Sequence, residues 1–448
     1  MSRPAASKPL RLQHIHIPGF TNRLPSYALA VAIQSKLQQR LLDYKAAVAA
    51  AATEGDARPL PPPPPPTILS FTPAPTYTLG RRQTTPLSPD EAALLQGRLD
   101  IYWHKHYKTH KRLNIGDEAN QISEGRTADH GHNHACFYPA IHNAPRGGLT
   151  TYHGPGQVVF WPVLDLKSPL HRHFSVRDYA CLLEKTTIAS IAEAASASLP
   201  SFPPDAVRQK QVQGFTTENP GVWVRRHWVD GDDEADGHPG PEGEERKIAA
   251  LGVHLRRHVT GLGVAVNCSM PVRGVRAYNP WERIVACGLE GKRVTSLAYE
   301  LLEYMQQVRW IRALAPQPLL GDHWKGQKKR PEAPVLETQM LRAWPEFFAR
   351  ALRMQPDGEG EGEGAAVLDE ADSSASTTKM RDDLVDDVTI EDVLGKGWEH
   401  TIDLPEKEQY TTALRKRVLG TLPVETAYRR NKLSPTCTTG ETVPYPGS

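Results

Sequence analysis

The stretch from Arg146 to Leu166, RGGLTTYHGPGQVVFWPVLDL, joins a glycine-rich loop to an apolar strand and constrains the fold more than any other part of the chain. Its loop part holds four glycines and one proline. Gly147 and Gly148 supply positive φ where the chain needs it and allow the backbone to approach a ligand closely. Tyr152 and His153 then add an aromatic wall and a titratable group. Gly154-Pro155-Gly156 reads as a tight turn. Gln157 to Trp161 predicts a buried strand that ends at Pro162. A rigid glycine loop at the mouth of a buried strand is a common lining for a small-ligand site. A turn that needs glycine for geometry alone fits the same residues.

A chain of 448 residues can bury one large core or two ordinary ones. The formal net charge of +2 gives no footprint for nucleic acid or for a charged membrane surface. No apolar run approaches the roughly 18 residues of a membrane span. Five cysteines without regular spacing argue against a disulfide framework and for a reducing compartment. The 39 prolines, many of them clustered, predict linkers and insertions around a smaller folded part.

Residues 1–42 carry six Arg or Lys and no Asp or Glu, a bias that suits a mitochondrial presequence. Leu10 to Ile17 nevertheless alternates like a strand, and Tyr27 to about Ala52 reads as a helix. Pro61 to Pro66 predicts a stiff surface spacer. Thr67 to Phe71 is the next strand. Asp90 to Leu99 predicts a helix. His104, His106, His110, His130, His132, His134 and Cys136 form a histidine-rich tract. Gly, Asp and Asn around it favour a solvated loop over a metal site, which needs about four convergent ligands. Ser175 to Leu199 reads as an amphipathic helix capped by Ser175 and Asp178, burying Leu182, Leu183, Ile188 and Ile191. Cys181 on that helix reads as a core residue. Gly221 to Val224, Lys247 to Leu255 and Gly261 to Asn267 read as strands. The acidic, glycine-rich stretch 230–245 is a solvated hairpin insertion between the first two. Cys268 reads as structural. A helix is expected from Thr295 to about Gln307, and another from Val335 to Met354 with Trp344-Pro345 as its weak point. Residues 357–388 have the composition of a disordered segment. A short helix is expected near Tyr410 to Leu419.

Two residues carry possible chemistry. Cys287, between Ala286 and Gly288 at a strand end, has little steric cover and suits a thiolate nucleophile. A small buried hydrophobe is the commoner fate of a free cysteine. Lys247 opens an apolar strand, where it is either an edge lysine or a chemical group.

The loop RGGLTTYHGPGQ strongly resembles the signature loop of lipoyl(octanoyl) transferases, in the larger family of lipoate- and biotin-protein ligases. The blocks KIAALGVHLRRHVTGLGVAVN at 247–267 and ACGLEGKRVTSLAYEL at 286–301 resemble that family in the same order. The resemblance implies a mixed α/β (α+β) domain over residues 10–312, with flanking helices and with insertions near 53–66, 83–142 and 226–246. Residues 1–9 would be a flexible or targeting start, and 313–448 a C-terminal extension.

By that resemblance the chain is an acyltransferase of lipoate biosynthesis and protein lipoylation. Its donor would be octanoyl-acyl carrier protein. Its acceptors would be lysines of the lipoyl domains of 2-oxoacid dehydrogenase complexes and of the glycine cleavage H protein. Cys287 would carry the acyl group as a thioester, with Lys247 beside it. Arg146, Gly147, Gly148, Leu149, Thr150, Thr151, Tyr152 and His153, with Ala250, Leu251, Gly252, Gly263, Val264 and Ala265, would line the acyl pocket. No cofactor, metal, nucleic acid or membrane span is implied, and the expected compartment is the mitochondrion, otherwise the cytoplasm. An ATP-dependent lipoate or biotin ligase would keep the lysine without a nucleophilic cysteine. A binding or scaffold protein on the same fold would need neither.

Overall fold

The computed structural model describes residues 11–19, 24–54, 60–103, 133–198, 212–225, 243–285, 291–301, 336–353 and 384–401. Cys287, five of the seven tract residues (His104 to His132) and the expected helix at 410–419 lie outside them.

The chain opens with β1 (Leu12–Ile17) and the long helix α1 (Tyr27–Glu54), both near the expected bounds. Much of the basic early stretch is therefore fold. β2 (Thr67–Phe71) follows the proline run, which is not wholly a surface spacer: Pro66 is buried, and its carbonyl accepts the Gln13 N–H at 3.0 Å. Next come β3 (Thr76–Leu79), α2 (Pro89–Gln96), β4 (Leu99–Trp103), β5 (Asn133–Phe137), β6 (Ala140–Asn143) and β7 (Thr151–His153). β8 (Gln157–Val163) is the buried strand of the glycine-rich stretch. It runs through Pro162 instead of ending there, because pairing with its second neighbour stops at Phe160 and the missing N–H breaks no rung on that side. Then follow α3 (Val176–Ser198), β9 (Gly214–Phe215), β10 (Gly221–Arg225), β11 (Glu245–Arg256), β12 (Val259–Asn267), β13 (Arg293–Val294), α4 (Leu336–Arg353), β14 (Val385–Asp387) and α5 (Ile390–Leu394).

Among the described residues the main sheet has nine strands in the order β14-β1-β2-β8-β12-β11-β10-β9, with β13 pairing β11 off that path. β1 lies parallel to β2 and β14, and the strands from β2 to β9 along that order are antiparallel. Smaller sheets are β6-β3-β7 and the β4-β5 hairpin. The result is the mixed α/β class expected. One apolar cluster fills the face under α3 and α4; a second fills the opposite face under α1 and α5.

Several expectations need correction. Residues 133–137, expected as loop, form a strand because Ala135 pairs Ile101 and Phe137 pairs Leu99, whose side chains are buried. Cys181 is exposed, since the buried stripe of α3 runs through Tyr179, Leu182, Leu183, Thr186 and Thr187. Ser175 and Asp178 do cap α3 reciprocally at 3.1 and 3.0 Å.

The boundary near residue 312 does not set the later elements apart. α4 packs on α3, and β14 adds an edge to the main sheet, so the stretch 384–388 is ordered structure. Pro345 sits inside α4 without ending it. Trp344 holds the helix there: it is fully buried, stacks on Phe160 at 4.7 Å and donates its Nε1–H to Thr187 Oγ1 at 2.9 Å. Trp344→Ala is expected to destabilise the protein by about 3–5 kcal/mol, read as a lower urea midpoint. A midpoint equal to that of the wild type would mean α4 is peripheral.

Candidate active site

The signature loop is built around one side chain. Arg146 is buried, and its guanidinium donates to the carbonyls of Gly147 (3.0 Å), Leu149 (2.8 Å) and Thr78 (2.8 Å) and to Thr78 Oγ1 (2.8 Å). The loop returns bonds to the turn after β3: Arg81 N–H donates to Arg146 O at 2.9 Å and Arg82 N–H to Gly148 O at 3.2 Å. Gly148 has φ +82°, a conformation that favours glycine. A side chain on Gly80 would lie 2.4 Å from Gly148 O.

Of the two strand segments expected beside the loop, 250–252 reaches it at Gly252, and 263–265 pairs with 250–252. In the β11–β12 pair, Ala250 faces Ala265, Leu251 faces Val264, and Gly252 faces Gly263. The space at Gly252 is taken by the Arg146 stem, whose Cδ lies 2.8 Å from where a Cβ would stand. At Gly263 the space is taken by Phe160 O, at 2.3 Å. These glycines thus serve close backbone approach. Gly147, by contrast, is exposed, with nothing within 4 Å of its missing side chain.

Lys247 lies further along β11 and is buried. A β-bulge between Val222 and Trp223 sets Lys247 opposite Trp223 and Ala249 opposite Val222. Ile248 and Ala249 both enter the core, which strict alternation forbids and a bulge permits. The Lys247 ammonium lies 4.8 Å from the Trp223 ring centroid, a cation–π contact. Its Cε is 3.2 Å from the position a Cβ on Gly221 would take, and Gly221 has φ +124°. Burial raises the Glu184 carboxyl above its ordinary range; the Gly221 N–H, donating to it at 2.9 Å, and the Lys247 charge oppose that rise. Sequence reasoning missed Glu184, Gly221 and Trp223. Only the close approach of α3 and β10 to β11 singles them out.

A buried polar chain joins the loop to the Lys247 strand. His153 Nδ1 meets Gln157 Oε1 at 2.8 Å, and Gln157 Nε2–H donates to Asn267 Oδ1 at 2.9 Å. Asn267 Nδ2–H donates to Thr295 O at 2.9 Å. Thr295 N–H donates to Lys247 O at 2.9 Å, and its hydroxyl to Glu300 Oε1 at 2.5 Å. Glu300 pairs with Arg246 at 3.0 Å. His153 also stacks on Tyr27 at 5.4 Å. Among the described residues no group of three or more His, Cys, Asp or Glu could hold a metal ion, and no helix is long and apolar enough to cross a membrane.

Burial lowers the His153 imidazole to about 4, the Gln157 bond opposing and the Arg146 charge adding to the drop. Burial, then the neighbouring His14, lowers His16 to about 3. Both are neutral in the folded protein at neutral pH. Below pH 6.5 the unfolded chain takes up protons that these folded histidines refuse. Stability is therefore expected to fall as pH drops from 6.5 towards 4, by up to about 1.4 kcal/mol per pH unit for each histidine. Urea midpoints at pH 7.5 and 5 measure this, and NMR should show no His153 titration above pH 5.

A family model for the "Lipoyl protein ligase A/B catalytic domain" matches residues 138–315. That span takes in the signature loop, Lys247, Cys287 and both strand segments. A "Probable octanoyltransferase" of Schizosaccharomyces pombe is 30% identical over 286 residues, which cover 64% of this chain and 86% of that protein. A mitochondrial octanoyltransferase of Saccharomyces cerevisiae is 25% identical over 271 residues, 59% of this chain and 64% of that one. The mitochondrial octanoyl-[acyl-carrier-protein]:protein N-octanoyltransferase of Xenopus tropicalis is 37% identical over 156 residues, 35% of this chain and about half (47%) of that one. With nearly the whole length of the fission-yeast relative matched, the chain belongs to the octanoyltransferase family, acyltransferases that act in protein lipoylation.

Proposed function

We propose that the chain moves an octanoyl group from octanoyl-acyl carrier protein to a lysine of a lipoyl domain through a thioester on Cys287. The Cys287 thiolate attacks the carrier thioester, and the carrier thiol leaves. The deprotonated acceptor amine then attacks the octanoyl-enzyme, forming an amide and releasing the Cys287 thiolate. Thiol-for-thiol exchange is nearly balanced in energy, and amide formation draws the second step forward. Such a route gives ping-pong kinetics.

The observation that carries the reading is the parallel pairing of β13 with β11, Arg246 beside Arg293 and Lys247 beside Val294. The chain runs from Cys287 to this rung within seven residues. A buried ammonium close to a thiol favours the thiolate. The acyl chain lies against the 146–153 loop, Ala250 to Gly252 and Gly263 to Ala265. Arg146 shapes that loop, with both terminal nitrogens bonded to backbone carbonyls. The acceptors are lipoyl domains of 2-oxoacid dehydrogenase complexes and the glycine cleavage H protein. The compartment is the mitochondrion, a reading supported by the mitochondrial names of the budding-yeast and frog relatives.

Intact-mass spectrometry after mixing with octanoyl-acyl carrier protein, without ATP, tests the reading. A hydroxylamine-labile octanoyl adduct is expected on the wild type and not on Cys287→Ser. Lipoyl-domain modification that needs ATP and free acid would instead assign a ligase. No adduct and no transfer under any condition would leave a binding protein. Lys247→Ala is expected to move the pH profile of Cys287 alkylation upward and to slow acylation at pH 7 by about tenfold or more. An unchanged profile would remove Lys247 from the chemistry.

A further inference from the structure

The expected insertion at 83–142 has no part in the reaction proposed above, yet it is bonded to the arm that leads into Cys287. We infer that Arg283 is a positioning residue: through it, α2 and β4 brace the segment 277–285 from which the chain runs on to the nucleophile. This rests on Cys287 being the acyl carrier.

Arg283 is 9% exposed, gives donors to backbone carbonyls of two segments and also meets the Tyr77 hydroxyl. Nε–H donates to Arg276 O at 2.8 Å, which closes the arm on itself. Nη1 reaches the carbonyls of Leu94 and Leu95, each at 3.4 Å, and of Gly97 at 2.8 Å. Nη2 reaches Arg98 O at 2.6 Å. These are carbonyls of the last turn of α2, which a helix leaves without intrahelical partners, and of Gly97 and Arg98, which link α2 to β4. A guanidinium there satisfies them and complements the helix dipole. At the other end, α2 is fixed by a Ser88–Glu91 capping box.

Two further contacts follow the same line. Asp100 N–H donates to Ala277 O at 2.9 Å. Leu95, Leu99 and Ile101 of the insertion share an apolar cluster with Trp281, against which Ile284 packs. Trp281 also meets the signature loop, edge to face with Tyr152 at 5.8 Å. The arm is thus held between the insertion and the loop. A lysine at 283 would keep the charge but could not span carbonyls on both sides.

The test compares wild type, Arg283→Lys, Arg283→Met and the insertion-side variant Leu99→Ala, each checked for folding by its melting temperature. Single-turnover octanoylation by octanoyl-acyl carrier protein is expected to slow at least about tenfold in both Arg283 variants, with the donor KM little changed. Leu99→Ala should move the same way without touching the arm's hydrogen bonds. Hydrogen exchange at 277–285 is expected to quicken in both Arg283 variants. Folded Arg283 variants that acylate at the wild-type rate would overturn the inference, as would unchanged exchange. If the wild type forms no acyl-enzyme while exchange still quickens, Cys287 as carrier fails and the brace itself stands.

Discussion

The Arg146 guanidinium is the point at which the site is assembled. Buried, it would cost several kcal/mol if its donors went unmet. Four bonds from its two terminal nitrogens, to Gly147, Leu149 and Thr78, meet most of that need and in doing so fix the loop to β3. Its stem fills the notch left by Gly252 and so fixes the loop to β11 as well. The signature glycines, the small sheet and the Lys247 strand therefore meet at one cation that bonds backbone carbonyls and Thr78. The residue is thus an organiser of the signature loop, with its charge turned inward.

A second level of order runs through uncharged groups. The chain from His153 through Gln157 and Asn267 to Thr295 crosses β8, β12 and the turn after β13. Each link is a buried polar group with a partner, so displacing one strand would orphan several groups at once. Neutral His153 suits such a chain, since a charged imidazole there would meet both burial and the Arg146 charge. An early and a late described strand are joined by related means. His14, on β1, binds Asp387 of β14 at 2.9 Å and Ser70 at 2.7 Å, which ties a late segment to the first strand.

Much of the architecture is legible in residue order because it follows local rules. The alternation of Leu12 to Ile17, the apolar run of β8 and the Ser175–Asp178 cap each act within a few residues. The glycine loop and the small residues at 250–252 and 263–265 are likewise visible, and the resemblance supplies their order. What they do individually is less visible. Gly252 and Gly263 suggest room for a ligand, whereas the space at each Cβ is used by Arg146 and Phe160. Glu184 reads as an ordinary helix carboxylate until α3 sets it beside Lys247.

The sequence by itself determined many of the secondary elements, because periodicity and caps are written locally, and its family resemblance pointed to the candidate pair Lys247 and Cys287. Tertiary structure alone decided that α4 and β14 complete the core, that α2 and β4 bond to the segment 276–283, and that Arg146 is buried. Those outcomes depend on contacts between segments tens to hundreds of residues apart. There burial must be matched by hydrogen bonds, and no local pattern records which partner will supply them.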